Sequence, residues 1–228
     1  MNPEYQLLLS ARRKTLSIQV RDGQVIVRAP ERASQAVVEA FVQSRREWIH
    51  RHQQRQQNEI EALRICLHQG GAVPWNGEML ALNWKRGSAS GVERGVGSIH
   101  VTLSHRVRRN ETDAVAEQLR RWFSSQAEEL LIARTHEISA RTGLVPTEIG
   151  IGNWRGRWGQ CSSRGEVKLN WRLLHLPAEL QDYVILHELC HLRYLNHGPS
   201  FHALMLQHCK EHRNLYRKMQ RYTSWLRW

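Results

Sequence analysis

This chain is poor in cysteine, in long apolar runs and in acidic side chains, and each shortage excludes something. Its four cysteines (Cys66, Cys161, Cys190 and Cys209) are scattered through 228 residues and include no C-x-x-C pair. That spacing argues against a cysteine-rich zinc module and against a disulfide framework, and it suits a reducing compartment. No stretch approaches the ~18 to 20 consecutive apolar residues that a membrane span requires. Leu7-Leu8-Leu9, ahead of Arg12-Arg13-Lys14, is too short for the apolar core of a secretory signal, and its charges lie on the wrong side. The expectation is a cytoplasmic protein with no membrane partner. Acidic residues number 21 against 33 lysines and arginines, a formal charge of +12. Such an excess attracts polyanions, nucleic acid first and acidic protein surfaces second, although solubility alone also accounts for it.

The first third alternates as a sheet does. Leu16, Ile18 and Val20 share one face, Asp22-Gly23 marks a turn, and Val25 and Val27 return. This predicts a β-hairpin, closed by Pro30. Ser34 is a good N-cap for a helix carrying Val37, Val38, Phe41, Val42, Trp48 and Ile49. Its polar far end, Gln53 to Asn58, reads as exposed helix or linker. Asn76-Gly77 signals a second turn, with strands at Met79 to Trp84 and Ile99 to Leu103 and a loose Gly- and Ser-rich loop from Gly87 to Ser98 between them. A long helix follows from Thr112 to Arg141. Its expected buried stripe is Val115, Leu119, Trp122, Phe123, Leu130, Leu131 and Ile138, and Gly143 and Pro146 stop it. Short strands at Glu148 to Asn153 and Glu166 to Trp171 precede a helix opened by Pro177. There is no internal repeat. The outline is α+β: a β-rich region with one helix over residues 1–105, then a helix-dominated domain with a small sheet over residues 106–228.

Within the last of these helices, His187-Glu188-Leu189-Cys190-His191 reads H-E-x-x-H. Histidines four residues apart project from one helix face, where two imidazoles can grip one Zn²⁺ while the glutamate reaches a water on the metal. Thirteen histidines make a chance match a genuine competitor. Against chance, the preceding Asp182-Tyr183-Val184-Ile185-Leu186 suits a buried helix, where a carboxylate and two imidazoles are costly without a metal. His197 lies six residues beyond His191, past a break at Asn196 and Gly198-Pro199, and a turn there can fold it back as a third ligand. Three protein ligands with one open position characterise a catalytic zinc. His202 competes with His197 for that third place. His208-Cys209-Lys210-Glu211-His212 reads as the inverted H-x-x-E-H, but residues 213 to 228 contain no Asp or Glu to complete such a site.

With these residues in hand, the chain resembles the YgjP-like metallopeptidase family of zincins, related to SprT-like and WLM metalloproteases. The resemblance rests on ordered blocks: Arg12-Arg13-Lys14-Thr15 with the hairpin to Arg28-Ala29-Pro30, Arg157-Trp158-Gly159-Gln160-Cys161-Ser162-Ser163, Lys168-Leu169-Asn170-Trp171-Arg172-Leu173, His187 to Leu192, and Asn196 to Phe201. It spans residues 12 to 220, is weakest from Gly70 to Ser98, and departs at Gln160, where the family usually has Ser, and at Gly198. The resemblance implies a zincin-like metallopeptidase domain whose active-site helix carries H-E-x-x-H. It implies that His187, His191 and His197 bind zinc and that Glu188 is catalytic, acting on a protein or peptide substrate.

On this reading three neutral imidazoles leave the zinc its full charge to lower the pKa of its water, and Glu188 takes the proton. Tyr194, Arg193, His202 and Tyr216 are candidates for the oxyanion stabiliser. The Arg157 to Ser163 block, on a strand or loop before the metal helix, is expected near the cleft, where zincins hold extended peptide on an edge strand. Trp154, Trp158 and Trp171 read equally well as core. Arg213, Arg217 and Arg221 recur every four residues beside Tyr222, Trp225 and Trp228, and Trp154-Arg155-Gly156-Arg157-Trp158 interleaves the same residue types. Arginine beside aromatics suits phosphate and base contacts, so nucleic acid is a candidate partner through a basic surface. The rival to a zinc peptidase is therefore a basic nucleic-acid-binding protein with a structural or vestigial zinc site. Zinc-dependent hydrolysis of a non-peptide amide is a third reading.

Overall fold

The computed structural model describes residues 4–21 and 23–227. Asp22, expected in the first turn, and Trp228, expected beside the basic face, lie outside the described residues. The chain divides into two compact units, Met1–Arg64 and Ile65–Trp228. The division expected near residue 105 falls inside the second.

In the first unit, β1 (Gln6–Ser10), β2 (Ser17–Arg21) and β3 (Gln24–Pro30) form a sheet of order β1-β3-β2. The expected hairpin is β2 against β3, with Ile18 opposite Val27 and Val20 opposite Val25. Parallel β1 was not signalled, because Leu7-Leu8-Leu9 has no period of two and all three leucines stay exposed. Ser34 caps α1 (Gln35–Ser44), its side chain accepting from Val37 N at 3.4 Å. The single helix expected here is two: the chain breaks at Arg45, and α2 (Arg46–Ala62) carries the polar Gln53 to Asn58 stretch in helical form. Val25, Val27, Ala29, Val38, Val42 and Ile49 make the core of this unit. Val37, placed on the same stripe by its spacing, is exposed.

The second unit opens with β4 (Gly71–Trp75), β5 (Glu78–Gly87), β6 (Gly91–Arg94) and β7 (Ser98–Ser104), in the order β4-β5-β7-β6. Asn76-Gly77 makes the β4–β5 turn with positive φ at both residues (49° and 84°), as a two-residue hairpin of right-handed twist needs. The stretch expected as a loose loop contains β6, which pairs antiparallel with β7. Its Gly and Ser hid an edge strand with no apolar alternation. α3 (Glu111–Thr142) starts at Asn110, whose side chain accepts from Asp113 N, and ends at Gly143 in the left-handed conformation. Val115, Leu119, Phe123, Leu131 and Ile138 are buried as expected, but Leu130 is exposed.

The second sheet of this unit has the order β8-β10-β9, from β8 (Glu148–Gly152), β9 (Gly159–Cys161) and β10 (Glu166–Asn170). A 3₁₀ turn over Trp171–His175 leads to α4 (Ala178–Cys190), with Pro177 at the N-cap rather than inside the first turn. α5 (Pro199–His208), α6 (His212–Met219) and a closing 3₁₀ segment, Gln220–Arg227, follow. Trp75, Phe123, Trp171, His175 and Trp225 join these layers, with Phe123 edge-on to His175 at 4.6 Å and 5.7 Å from Trp171. The architecture is α+β, with sheet concentrated in the N-terminal half and helix in the C-terminal half.

Candidate metal centre

α4 is apolar on nearly every side: Leu180, Tyr183, Val184, Ile185, Leu186, Leu189 and Cys190 are all buried. Its start is clamped by the β4–β5 turn. Asn76 N and Gly77 N donate to the carbonyls of Leu174 and His175 at 2.7 and 2.8 Å. Gln181 Nε2 donates to Asn76 Oδ1 at 2.7 Å, and His175 Nδ1 donates to Pro74 O at 2.9 Å. The flank of α4 is tied to α3 by a bidentate pair, Arg134 to both Asp182 oxygens at 2.7 and 2.6 Å.

At the opposite end the histidines converge. His187 occupies the last turn and His191 the C-cap. The chain then turns through Leu192–Asn196, where Asn196 Oδ1 accepts from Gly198 N at 3.1 Å, and His197 swings back. The Nε2 atoms of His191 and His197 lie 3.2 and 3.0 Å from Nε2 of His187. One ligand atom from each of the three falls within 4.8 Å of the others, and among the described residues no fourth His, Cys, Asp or Glu joins them. Tetrahedral zinc with bonds of about 2.0–2.1 Å places its nitrogens about 3.3–3.4 Å apart, close to this spacing.

The donor chemistry fits a metal as well. Burial pushes His187 down to about 3, with His191 and His197 adding to the effect, and burial also lowers His197. Neutral imidazoles keep the lone pairs a metal needs. His191 Nδ1 lies 2.9 Å from Tyr194 O; a carbonyl only accepts, so Nδ1 carries the proton and Nε2 is free for the ion. The carbonyl end of a helix also favours a cation. Phe201, buried on α5, closes the base of the cluster, 4.7 to 5.0 Å from all three rings. Phe201 stands four residues after His197, across the turn, at the end of the Asn196 to Phe201 block.

Glu188, beside His187, is only 6 % exposed. Burial pushes its carboxyl up to about 8, with the charge of Arg157 pulling the other way. The partner surface is β9. A methyl group on Gly159 would sit 2.7 Å from Glu188 Cγ and 2.8 Å from Oε1, so only glycine lets strand and carboxylate approach this closely. Gly159 lies in the block expected near the cleft, but nothing in its local sequence marks the contact with Glu188. Among the described residues β9 is the edge of its sheet and pairs only with β10. Asn170 N donates to Trp158 O and Ser162 N to Glu166 O, so the inward hydrogen-bonding residues are 158, 160 and 162. By alternation Gly159 and Cys161 direct their N–H and C=O outward.

The other expected groups fall elsewhere. His202 is exposed, its ring 5.7 Å from Phe201 and stacked on His212 at 5.8 Å. Tyr194 contributes its carbonyl to His191, and its ring is exposed, as are Arg193 and Tyr216. Trp171 belongs to the core, whereas Trp154 is half-buried and packs on Gly152. α6 stops at Met219, so Arg213 and Arg217 share its face while Arg221 sits on the 3₁₀ segment. Trp225 is buried, and half-buried Tyr222 packs on it at 4.8 Å. A second basic region is centred on buried Arg172, which stacks over Trp171 at 4.2 Å. Its guanidinium is pulled down to about 10 by burial and then by the charges of Arg120 and Arg155.

Comparison with protein families matches residues 14–222 to the model described as YgjP-like, metallopeptidase domain. No curated protein and no solved structure matches the chain. No helix among the described residues is long and apolar enough to cross a membrane.

Proposed function

We propose that this chain, which belongs to the YgjP-like metallopeptidase family, is a zinc-dependent peptidase whose metal is held by His187, His191 and His197 and whose general base is Glu188. The observation that carries this reading is the meeting of three imidazole nitrogens beside one buried carboxyl group. Zinc bound there supplies Lewis acidity, polarising a carbonyl and making water easier to deprotonate.

Glu188 takes a proton from the attacking water and returns it to the nitrogen of the leaving amine. Its burial beside the three imidazoles fixes the direction of transfer. Gly159 lets β9 lie directly against the carboxyl. The outward N–H and C=O groups of Gly159 and Cys161 hold an extended peptide along β9, laying its backbone over the end of α4. A three-histidine set with no fourth protein ligand among the described residues supports catalysis over a structural or vestigial site.

The test is zinc analysis with a peptide-cleavage screen on wild type and two variants. Glu188→Gln should keep zinc and lose about 10²- to 10⁴-fold in hydrolysis. His187→Ala should lose the metal itself. Cleavage by Glu188→Gln at the wild-type rate would sink the mechanism.

A further inference from the structure

We propose that Arg157, seated on the side chain of Gln160, forms a subsite for an acidic side chain, selecting peptides with Asp or Glu at the position facing Gln160. The inference rests on the peptidase reading above and names its substrate class. Successive residues of β9 face opposite sides of the sheet: Gly159 faces Glu188, so Gln160 faces away from α4. The backbone groups of Gln160 point inward to Lys168 of β10. An antiparallel peptide on the free edge therefore meets Gln160 in a non-hydrogen-bonded pair, the arrangement that brings facing side chains closest, with Cα atoms about 4.5 Å apart.

Arg157 waits at that place. Its Nη1 donates to Gln160 Oε1 at 3.3 Å, a long bond to a neutral acceptor, which leaves most of its donors for another partner. The side chain is exposed and, among the described residues, forms no salt bridge, although its charge is felt at Glu188. Its backbone is nonetheless fixed, because fully buried Asn170 donates through Nδ2 to Arg157 O at 2.9 Å and to Trp154 O at 2.7 Å. Arg155, also exposed on the same loop, adds a second positive charge. A carboxylate matches a guanidinium in a two-pronged, charge-assisted pair that a neutral amide cannot replace. A serine hydroxyl at position 160 would be too short to hold the guanidinium in the same way.

The experiment uses full-length zinc-loaded protein and peptides that differ only by Glu, Gln or Lys at each position around the scissile bond. At one position kcat/KM should favour Glu over Gln by about tenfold, chiefly through KM and less so at high salt. Arg157→Gln should remove that ratio, Arg157→Glu should turn it toward Lys, and Gln160→Ser should weaken it. Equal cleavage of Glu and Gln peptides by wild type overturns the subsite and leaves the peptidase reading standing. Where zinc binds but nothing is cleaved, the peptidase reading fails, and labelled-peptide anisotropy on Glu188→Gln decides the subsite. Tighter binding of the Glu peptide, lost in Arg157→Gln, supports it; equal binding, or displacement by a single-stranded oligonucleotide but not by a Glu-rich peptide, overturns it.

Discussion

Gly159 and Glu188 are 29 positions apart in sequence and in contact in space, and the absent side chain of one sets the exposure of the other. Gly159→Ala introduces a methyl carbon inside the contact distance of Glu188 Cγ and Oε1, so strand or carboxyl must shift. Overpacking of this kind costs about 1–3 kcal/mol, and a displaced base costs rate as well. The variant should bind zinc normally yet lose at least about tenfold in kcat/KM, since each 1.36 kcal/mol in the barrier is tenfold in rate. Gly156→Ala, whose new methyl meets nothing within 4 Å, is the matched control. Equal activity in the two variants would dissociate Gly159 from catalysis. The positions of His187, Glu188 and His191 follow from helical spacing, and that of His197 from a turn six residues on. Gly159 and Phe201 follow from nothing local, because their roles exist only where distant segments meet.

Among the elements, α4 depends on what grips its start. The β4–β5 turn reaches it through Gly77, which has φ of 84° and Pro177 Cγ at 2.6 Å from where a Cβ would be. Gly77→Ala therefore combines backbone strain with a clash and should cost about 1–3 kcal/mol, read as a lower denaturation midpoint. Gly70→Ala, with φ of 75° but open space, carries only the strain and should cost less. If the two cost the same, the turn does not support α4. The elements read well from sequence were those with strong local signals: the β2–β3 hairpin by its alternation, α3 by its long stripe, Asn110 and Gly143 at its ends. β1 and β6 carry no strand signal because edge strands need no apolar period and their pairing is decided by tertiary neighbours, whereas β9 falls in the Arg157 to Ser163 block expected near the cleft. The break at Arg45 was equally hidden, since apolar spacing runs on across it.

For the whole molecule, a metal that binds only the folded state adds to its stability. At a free concentration of about 1,000 times Kd the gain is about 4.1 kcal/mol. Zinc should therefore raise the calorimetric transition of Ile65–Trp228, which contains all three histidines, and a chelator should lower it. His187→Ala should be insensitive to both. A zinc-induced rise that persists in that variant would place the ion elsewhere.

The shortness of β9 has a consequence for what the protein can attack. Three residues long, it offers the outward backbone groups of only Gly159 and Cys161. At about 0.5–1.5 kcal/mol net per hydrogen bond, such an edge yields only a few kcal/mol. A folded host domain holds its own strands with about 5–15 kcal/mol in total. On the proposed reading, the enzyme cannot prise a segment out of an intact domain. It discriminates by disorder, cutting chains that are already frayed, nicked or unfolded and passing over those that are not.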